Sequence, residues 1–140
     1  MTSGTARAMI DQIEAGLRAG VPLRELTEQV MASLARRVAR APRAIALRAG
    51  ALGLRARAGE VTLAGTRLGA AFEALVRYGK ERGELGAEVD GEEAAAMLSV
   101  VTAEAIIRWG TGNHSASWLE RTLRARADVI LNGMSGAGDR

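Results

Sequence analysis

Few side chains in this 140-residue sequence are of types that do chemistry, and their spacing limits what each can do. His114 is the only histidine, and it sits in the polar run Gly112–Ser117. A metal site would need further ligands at fixed spacing around it, and a Ser–His pairing would need a nucleophile presented by a recognisable turn. Neither accompanies it, so His114 reads as a solvated loop residue. The carboxylates Glu81, Glu84, Glu88, Asp90, Glu92 and Glu93 crowd one junction. Asp90, Glu92 and Glu93 stand where a helix start favours negative charge, so the cluster reads as a capped, acidic turn rather than an acid–base pair. Glu104 is different: it lies in an otherwise apolar stretch, and a carboxylate buried there needs a partner. It is the strongest polar candidate for ligand contact, ahead of Arg67 and Tyr78. No cysteine is present, which excludes a disulfide scaffold, a thiolate zinc site and a cysteine nucleophile. No catalytic constellation emerges; the expectation is a protein that is not an enzyme and carries no cofactor or metal.

One charge asymmetry stands out. Between Glu28 and Glu60 there is no acidic residue, whereas seven arginines fall there: Arg36, Arg37, Arg40, Arg43, Arg48, Arg55 and Arg57. Such a stretch could attract an anion, either a nucleic-acid backbone or an acidic effector such as an acyl-thioester of a nucleotide. No aromatic residue interleaves the arginines, which argues against stacking on single strands. No helix-turn-helix pattern accompanies them either. Across the chain the net charge is only +3, and of 19 basic side chains Lys80 alone is a lysine. No apolar run approaches a membrane span, and Met1–Ala8 lacks the order of a signal peptide. A cytoplasmic protein is expected, with no membrane partner.

The elements that would position these residues are helical. Ala, Leu, Arg and Glu dominate, β-branched and aromatic residues are sparse, and no window alternates as a strand would. The spacing predicts an all-α bundle of about six helices, with residues 1–134 forming one domain and 135–140 a flexible tail. The first helix runs from Ala6 to Ala19 and ends at Gly20. The second opens at Pro22 and stops before Pro42, with Leu23, Leu26, Val30, Leu34 and Val38 as its stripe. The third spans Arg43–Arg57 and is weakened by Gly50 and Gly53. The fourth extends from Glu60 to Arg82, with Gly83 as C-cap. The fifth opens on the capping box Asp90/Glu93, runs to Trp109 and stops at Gly110. The sixth follows a loop Thr111–Ala116, with Ser117 and Glu120 as a second capping box, and ends at Gly133. The fifth helix is apolar on nearly every side apart from Glu104 and Arg108. Such a helix is either central to the core or covered by a second copy of the protein.

The segment Arg77–Asp90, reading RYGKERGELGAEVD, resembles the end of helix seven and the following loop in the C-terminal domains of TetR-type regulators. There a helix closes on an R-x-G-x-x-R-G-E-L pattern followed by an acidic turn. Arg77, Gly79, Arg82, Gly83, Glu84 and Leu85 occupy those positions, and Asp90 opens the next helix. The Ala-rich helix ending in Trp109, the polar loop and the final helix Trp118–Gly133 are similar in order and spacing to the family's last two helices. The likeness covers about Leu68–Met134. Residue 1 falls near the start of the family's fourth helix, so the resemblance implies the effector-binding and dimerisation half only. DNA contact would come through a helix-turn-helix domain with no counterpart in these residues.

The resemblance further implies a homodimer through the last two helices and a pocket for a small apolar or amphipathic effector enclosed by the others. Met31, Leu34, Leu47, Leu68, Phe72, Met97 and Glu104 are the pocket candidates. Trp109, Trp118, Leu119, Leu123, Ile130 and Leu131 are the interface candidates, tryptophan supplying large apolar area with a single N–H to satisfy. The alternative is a stand-alone helical interaction module that forms homo- or heterodimers without touching DNA. A small helical enzyme using Glu104 and nearby arginines is the third reading, and no spacing supports it.

Overall fold

A computed structural model describes residues 3–48, 51 and 67–134. The helices are α1 (Ser3–Ala19), α2 (Leu23–Arg40), α3 (residues 43–48), α4 (Arg67–Glu81), α5 (Gly91–Thr111) and α6 (Ala116–Gly133). No strand occurs among the described residues, and the fold is an all-α helical bundle. None of the described helices is long and apolar enough to cross a membrane. The expected continuation of α3 through Arg57, the expected start of α4 at Glu60 and the tail 135–140 lie outside the described residues.

α2 shows how the sequence makes these elements. Leu23, Leu26, Val30, Leu34 and Val38 recur at helical spacing and all are buried, with Thr27, Met31 and Ala35 filling the rest of the inward arc. The helix ends because Pro42 disfavours the helical conformation for its predecessor; Ala41 is extended, at φ −79° and ψ 154°. The Pro42 carbonyl then accepts from the amides of Ile45 (3.0 Å) and Ala46 (3.2 Å), which starts α3.

Two helix boundaries differ from the expected ones. Gly110 does not stop α5, which continues to Thr111 and is capped by the extended Gly112. Gly110 serves instead as a point of close approach, since a Cβ there would sit 2.7 Å from Leu47 Cδ2. At α6 the cap is Ser115 rather than Ser117. Ser115 Oγ accepts from the Trp118 amide at 3.0 Å, whereas Ser117 Oγ accepts from Arg121. Ser115 has the extended backbone that a cap requires. At α5 the expected cap is present: Asp90 Oδ1 accepts from the amides of Glu92 and Glu93.

α2 packs on α6 and α4, and both of those pack on α5; α1 lies across α2 and α4. α2, α4, α5 and α6 therefore surround one core, with α2 and α5 across from each other. The register is set at a joint where α4 ends beside the start of α2. Gly83, at φ +75°, lets the chain turn back, so that the Glu84 amide donates to Gly79 O and the Gly83 amide to Lys80 O, the Schellman pattern. Glu84 then lies at the amino end of α2, where both carboxylate oxygens accept from the Leu23 amide at 3.1 Å. Tyr78 donates its hydroxyl to Val21 O at 2.8 Å. Arg82 lies over the Tyr78 ring and pairs with Glu84 at 2.7 Å. The Gly86 amide donates to Met134 O, which ties the end of α6 to the same joint.

Gly79 lies at the tightest point of that joint. A Cβ at this position would stand 2.6 Å from Leu23 Cδ2 and 2.9 Å from Leu85 Cδ1, both on buried side chains. Gly79→Ala gains about 1 kcal/mol of helix propensity and overpacks two leucines at a cost of about 1–3 kcal/mol. The overpacking should win because the joint holds both leucines in place. A net loss of stability in urea denaturation is expected; a gain would show that the leucines can yield.

Candidate functional site

α5 carries two different faces, and the helical step of about 100° per residue separates them. Leu98, Ser99, Thr102, Ala105 and Ile106 point into the core and are buried. The opposite side carries Met97, Val100, Glu104 and Ile107 at alternating three- and four-residue spacing, none of them buried. α6 repeats the division. Leu119, Leu123, Ala127, Ile130 and Leu131 are buried, while Thr122, Ala125 and Val129 form a parallel outward stripe; Trp118, at its end, packs partly against the core. The two outward stripes lie side by side, because Arg126 of α6 reaches across to Val101 O (2.8 Å) and to Glu104 Oε1 (2.6 Å) of α5. The large apolar side chains left in solvent among the described residues are Met97, 39% exposed, and Val129, 72% exposed, on this surface, and Leu17, 40% exposed, on α1.

Glu104 is the charged centre of the surface. One oxygen takes the Arg126 guanidinium and the other accepts from Arg108 Nε at 3.0 Å. The Arg126 hydrogen bond, foremost, holds the carboxyl below the usual glutamate range; burial opposes it next in size, and the charges of Arg126 and Arg108 add to the lowering. An arginine–carboxylate–arginine group amid apolar side chains can set register against a facing surface. With the side chain 41% exposed, its contribution to the stability of one chain is small.

Several sequence expectations are relocated. Of the pocket candidates, Met31, Leu34 and Phe72 are fully buried in the core, and Leu47 is half-buried against Gly110. The side chain of Leu68 lies outside the described residues. Met97 and Glu104 are not interior at all, since they fall on the side of α5 away from Thr102. Of the interface candidates, Leu119 and Leu123 have no accessible surface in a single chain, so they have none to offer a second copy. Trp109, Ile130 and Leu131 are likewise buried within one chain. Trp109 lies beneath the Arg43 guanidinium, 4.5 Å from the ring centroid, and Arg43 also donates to the Trp109 carbonyl. Trp118 alone of the six stays partly open, stacked on His114 with ring centroids 3.8 Å apart. His114 is thus a stacked, half-buried ring rather than a solvated loop residue.

The residues missed as outward-facing, Val100, Ile107, Ala125 and Val129, could have been found by phase. In α6 the series 118, 122, 125, 129 runs on a different side from 119, 123, 127, 130, and only one of the two can face the core. The arginine stretch divides too. Arg43 is committed to the end of α5 and Arg36 to Glu120, while Arg37, Arg40 and Arg48 are exposed; Arg55 and Arg57 lie outside the described residues. Among the described residues, no group of three or more His, Asp or Glu gathers as metal ligands would.

The Glu104 carboxylate carries a pH signature. Its ionised form is favoured by folding, so its stabilisation is complete above the usual glutamate range and is lost as the pH falls through the lowered value. Glu104→Gln is expected to cost about 0.2–1 kcal/mol near neutral pH, with the difference from wild type vanishing on acidification. Urea denaturation across a pH series measures it; a difference independent of pH would contradict the pairing.

Comparison with family models, with curated proteins and with solved structures finds no match to this chain.

Proposed function

We propose that this chain is the effector-binding and dimerising body of a TetR-type transcriptional regulator, working as a homodimer in the bacterial cytoplasm. The observation that carries the reading is the outward stripe of α5 and α6. Met97, Val100, Ile107, Ala125 and Val129 all face away from the core on one surface, and a contiguous exposed apolar patch marks an interaction surface. A helix with two apolar sides needs two neighbours, and the described helices of one chain cover only the inner side.

A second copy fits the chemistry of the stripe. A two-fold axis would lay α5 and α6 of one chain on α6 and α5 of the other and make a four-helix bundle whose seam buries Met97 and Val129. Glu104, flanked by Arg108 and Arg126, presents both signs of charge to a facing surface that presents the same. The likeness of the Arg77–Asp90 segment to TetR-type regulators supports the family reading. In TetR-type proteins, occupation of an interior pocket by a small effector alters the spacing of DNA-reading heads carried by the two bodies. That is a coupling between distinct sites through a two-state body.

Light scattering on the full chain tests the dimer. The expected mass is twice the 14.7 kDa of one chain. The double variant Met97→Glu/Val129→Glu should halve that mass at micromolar concentration while its circular dichroism stays helical, because both side chains lie outside the core. A wild-type mass of one chain, or a double variant that remains dimeric, would overturn the reading.

A further inference from the structure

The core of the bundle contains three hydroxyls that bond to nothing among the described residues: Thr27 Oγ1, Ser99 Oγ and Thr102 Oγ1. All three residues are more than nine-tenths buried, at 2%, 3% and 0% exposure. A buried, unsatisfied hydroxyl is destabilising. A helical Thr or Ser can ordinarily escape the penalty by turning its oxygen toward the carbonyl four residues back; here none of the three does so.

Their positions converge. Thr27 lies on the inward arc of α2, between Leu23 and Met31. Thr102 lies at the middle of the buried arc of α5, and Ser99 one turn before it. α6 fixes their relative height. Arg124 reaches Glu28 of α2 at 3.3 Å, and Arg126, two residues on, reaches Val101 and Glu104 of α5. Thr27 and Thr102 therefore occupy the same level of the bundle, on helices that stand across the core from each other. Around them the buried residues are apolar. Among the described residues the buried polar side chains are these three, apart from Tyr78, whose hydroxyl already donates to Val21 O. No buried carboxylate, lysine, arginine or histidine among the described residues joins them.

We propose that Thr27, Ser99 and Thr102 form the hydrogen-bonding end of the interior effector site, and that its occupant is an uncharged small molecule with an apolar body and a carbonyl or hydroxyl oxygen. This rests on the effector-binding part of the function proposed above and narrows it. Hydroxyls can donate to a carbonyl and can also accept from a hydroxyl, so they suit either group. A carboxylate, phosphate or ammonium at the same level would be desolvated with no opposite charge beside it among the described residues, which disfavours acidic effectors such as acyl-nucleotide thioesters. Sites of this kind, apolar with a few placed polar groups, recur between the helices of bundles.

Calorimetry on the full chain with naphthol, acetonaphthone and naphthoate tests the class, because the three share one ring system and differ in charge. The neutral pair should bind, and naphthoate should bind at least about tenfold more weakly. Thr102→Val, Thr27→Val and Ser99→Ala, each close in shape, should weaken the neutral probes by roughly fivefold. The same variants should raise the melting temperature of the unliganded chain, because an unpaired hydroxyl has been removed. Neutral probes that bind equally well to all three variants would overturn the hydroxyl site and leave effector binding standing. Naphthoate binding as tightly as naphthol would overturn the uncharged class alone. Binding by none of the probes, with stabilised variants, would mean hydroxyls that meet water only, and would count against both the site and the effector reading; the light-scattering mass decides dimerisation independently.

Discussion

The bundle depends on the joint between the end of α4 and the start of α2. Four polar interactions converge there on a few residues: the Gly83 turn, the Glu84 carboxylate on the Leu23 amide, the Tyr78 hydroxyl on Val21 and the Arg82 guanidinium between Tyr78 and Glu84. A helix start leaves amides without intrahelical partners, and a carboxylate placed there satisfies one of them and meets the positive end of the helix dipole. What is unusual is that the carboxylate comes from another helix's exit, 61 residues along the chain. One contact thus caps α2 and fixes where α4 stops. Lys80, donating to Val89 O, and Gly86, donating to Met134 O, extend the same control to the start of α5 and the end of α6. The placement of the two faces of α5 follows from this register.

With the register fixed, α5 divides its side chains between two environments. The inner side supplies Leu98 and Ile106 to the core together with the hydroxyls of Ser99 and Thr102. The outer side supplies Met97, Val100 and Ile107 around Glu104. Inner and outer sides are one helix thickness apart, so any occupant of the core that moves α5 also moves the outward stripe. That proximity is the physical link between effector binding and dimer geometry in the proposed function. The Glu104–Arg126 pair joins α5 to α6 across the outward surface.

The fold was legible because its signals are local. Apolar spacing, Pro42, Gly20, Gly83 and Asp90 each act within a turn or two of chain, and each lies where the sequence implied. The joint was partly legible: the run Arg77–Asp90 stood out as a pattern, yet nothing local shows that Glu84 caps α2 or that Gly79 makes room for Leu23. The outward side of α5 and α6 was not legible for a related reason. Trp109, Leu119 and Leu123 have the size and hydrophobicity of interface residues, but size does not say which side of a helix faces the core. The neighbours decide that, with α2 against α6 and Arg43 over Trp109. Glu104 was singled out as a carboxylate needing a partner if buried; it is 41% exposed, and Arg126 of the next helix pairs with it. Gly110 misled because glycine both ends helices and admits neighbours, and here Leu47 uses the second property.

The central claim is that the α5–α6 stripe is covered by a second copy of the chain. The absence of native cysteine allows a single spin label to be placed by Ala125→Cys, at an exposed position in the middle of the α6 stripe. Pulsed dipolar spectroscopy then reads the distance between the two labels of a dimer, with a label at exposed Glu14 of α1 as the remote control. The expected result is strong dipolar modulation with a short, narrow distance for position 125 and a clearly longer one for position 14. Absence of coupling at position 125, or a distance there longer than at position 14, would contradict the claim.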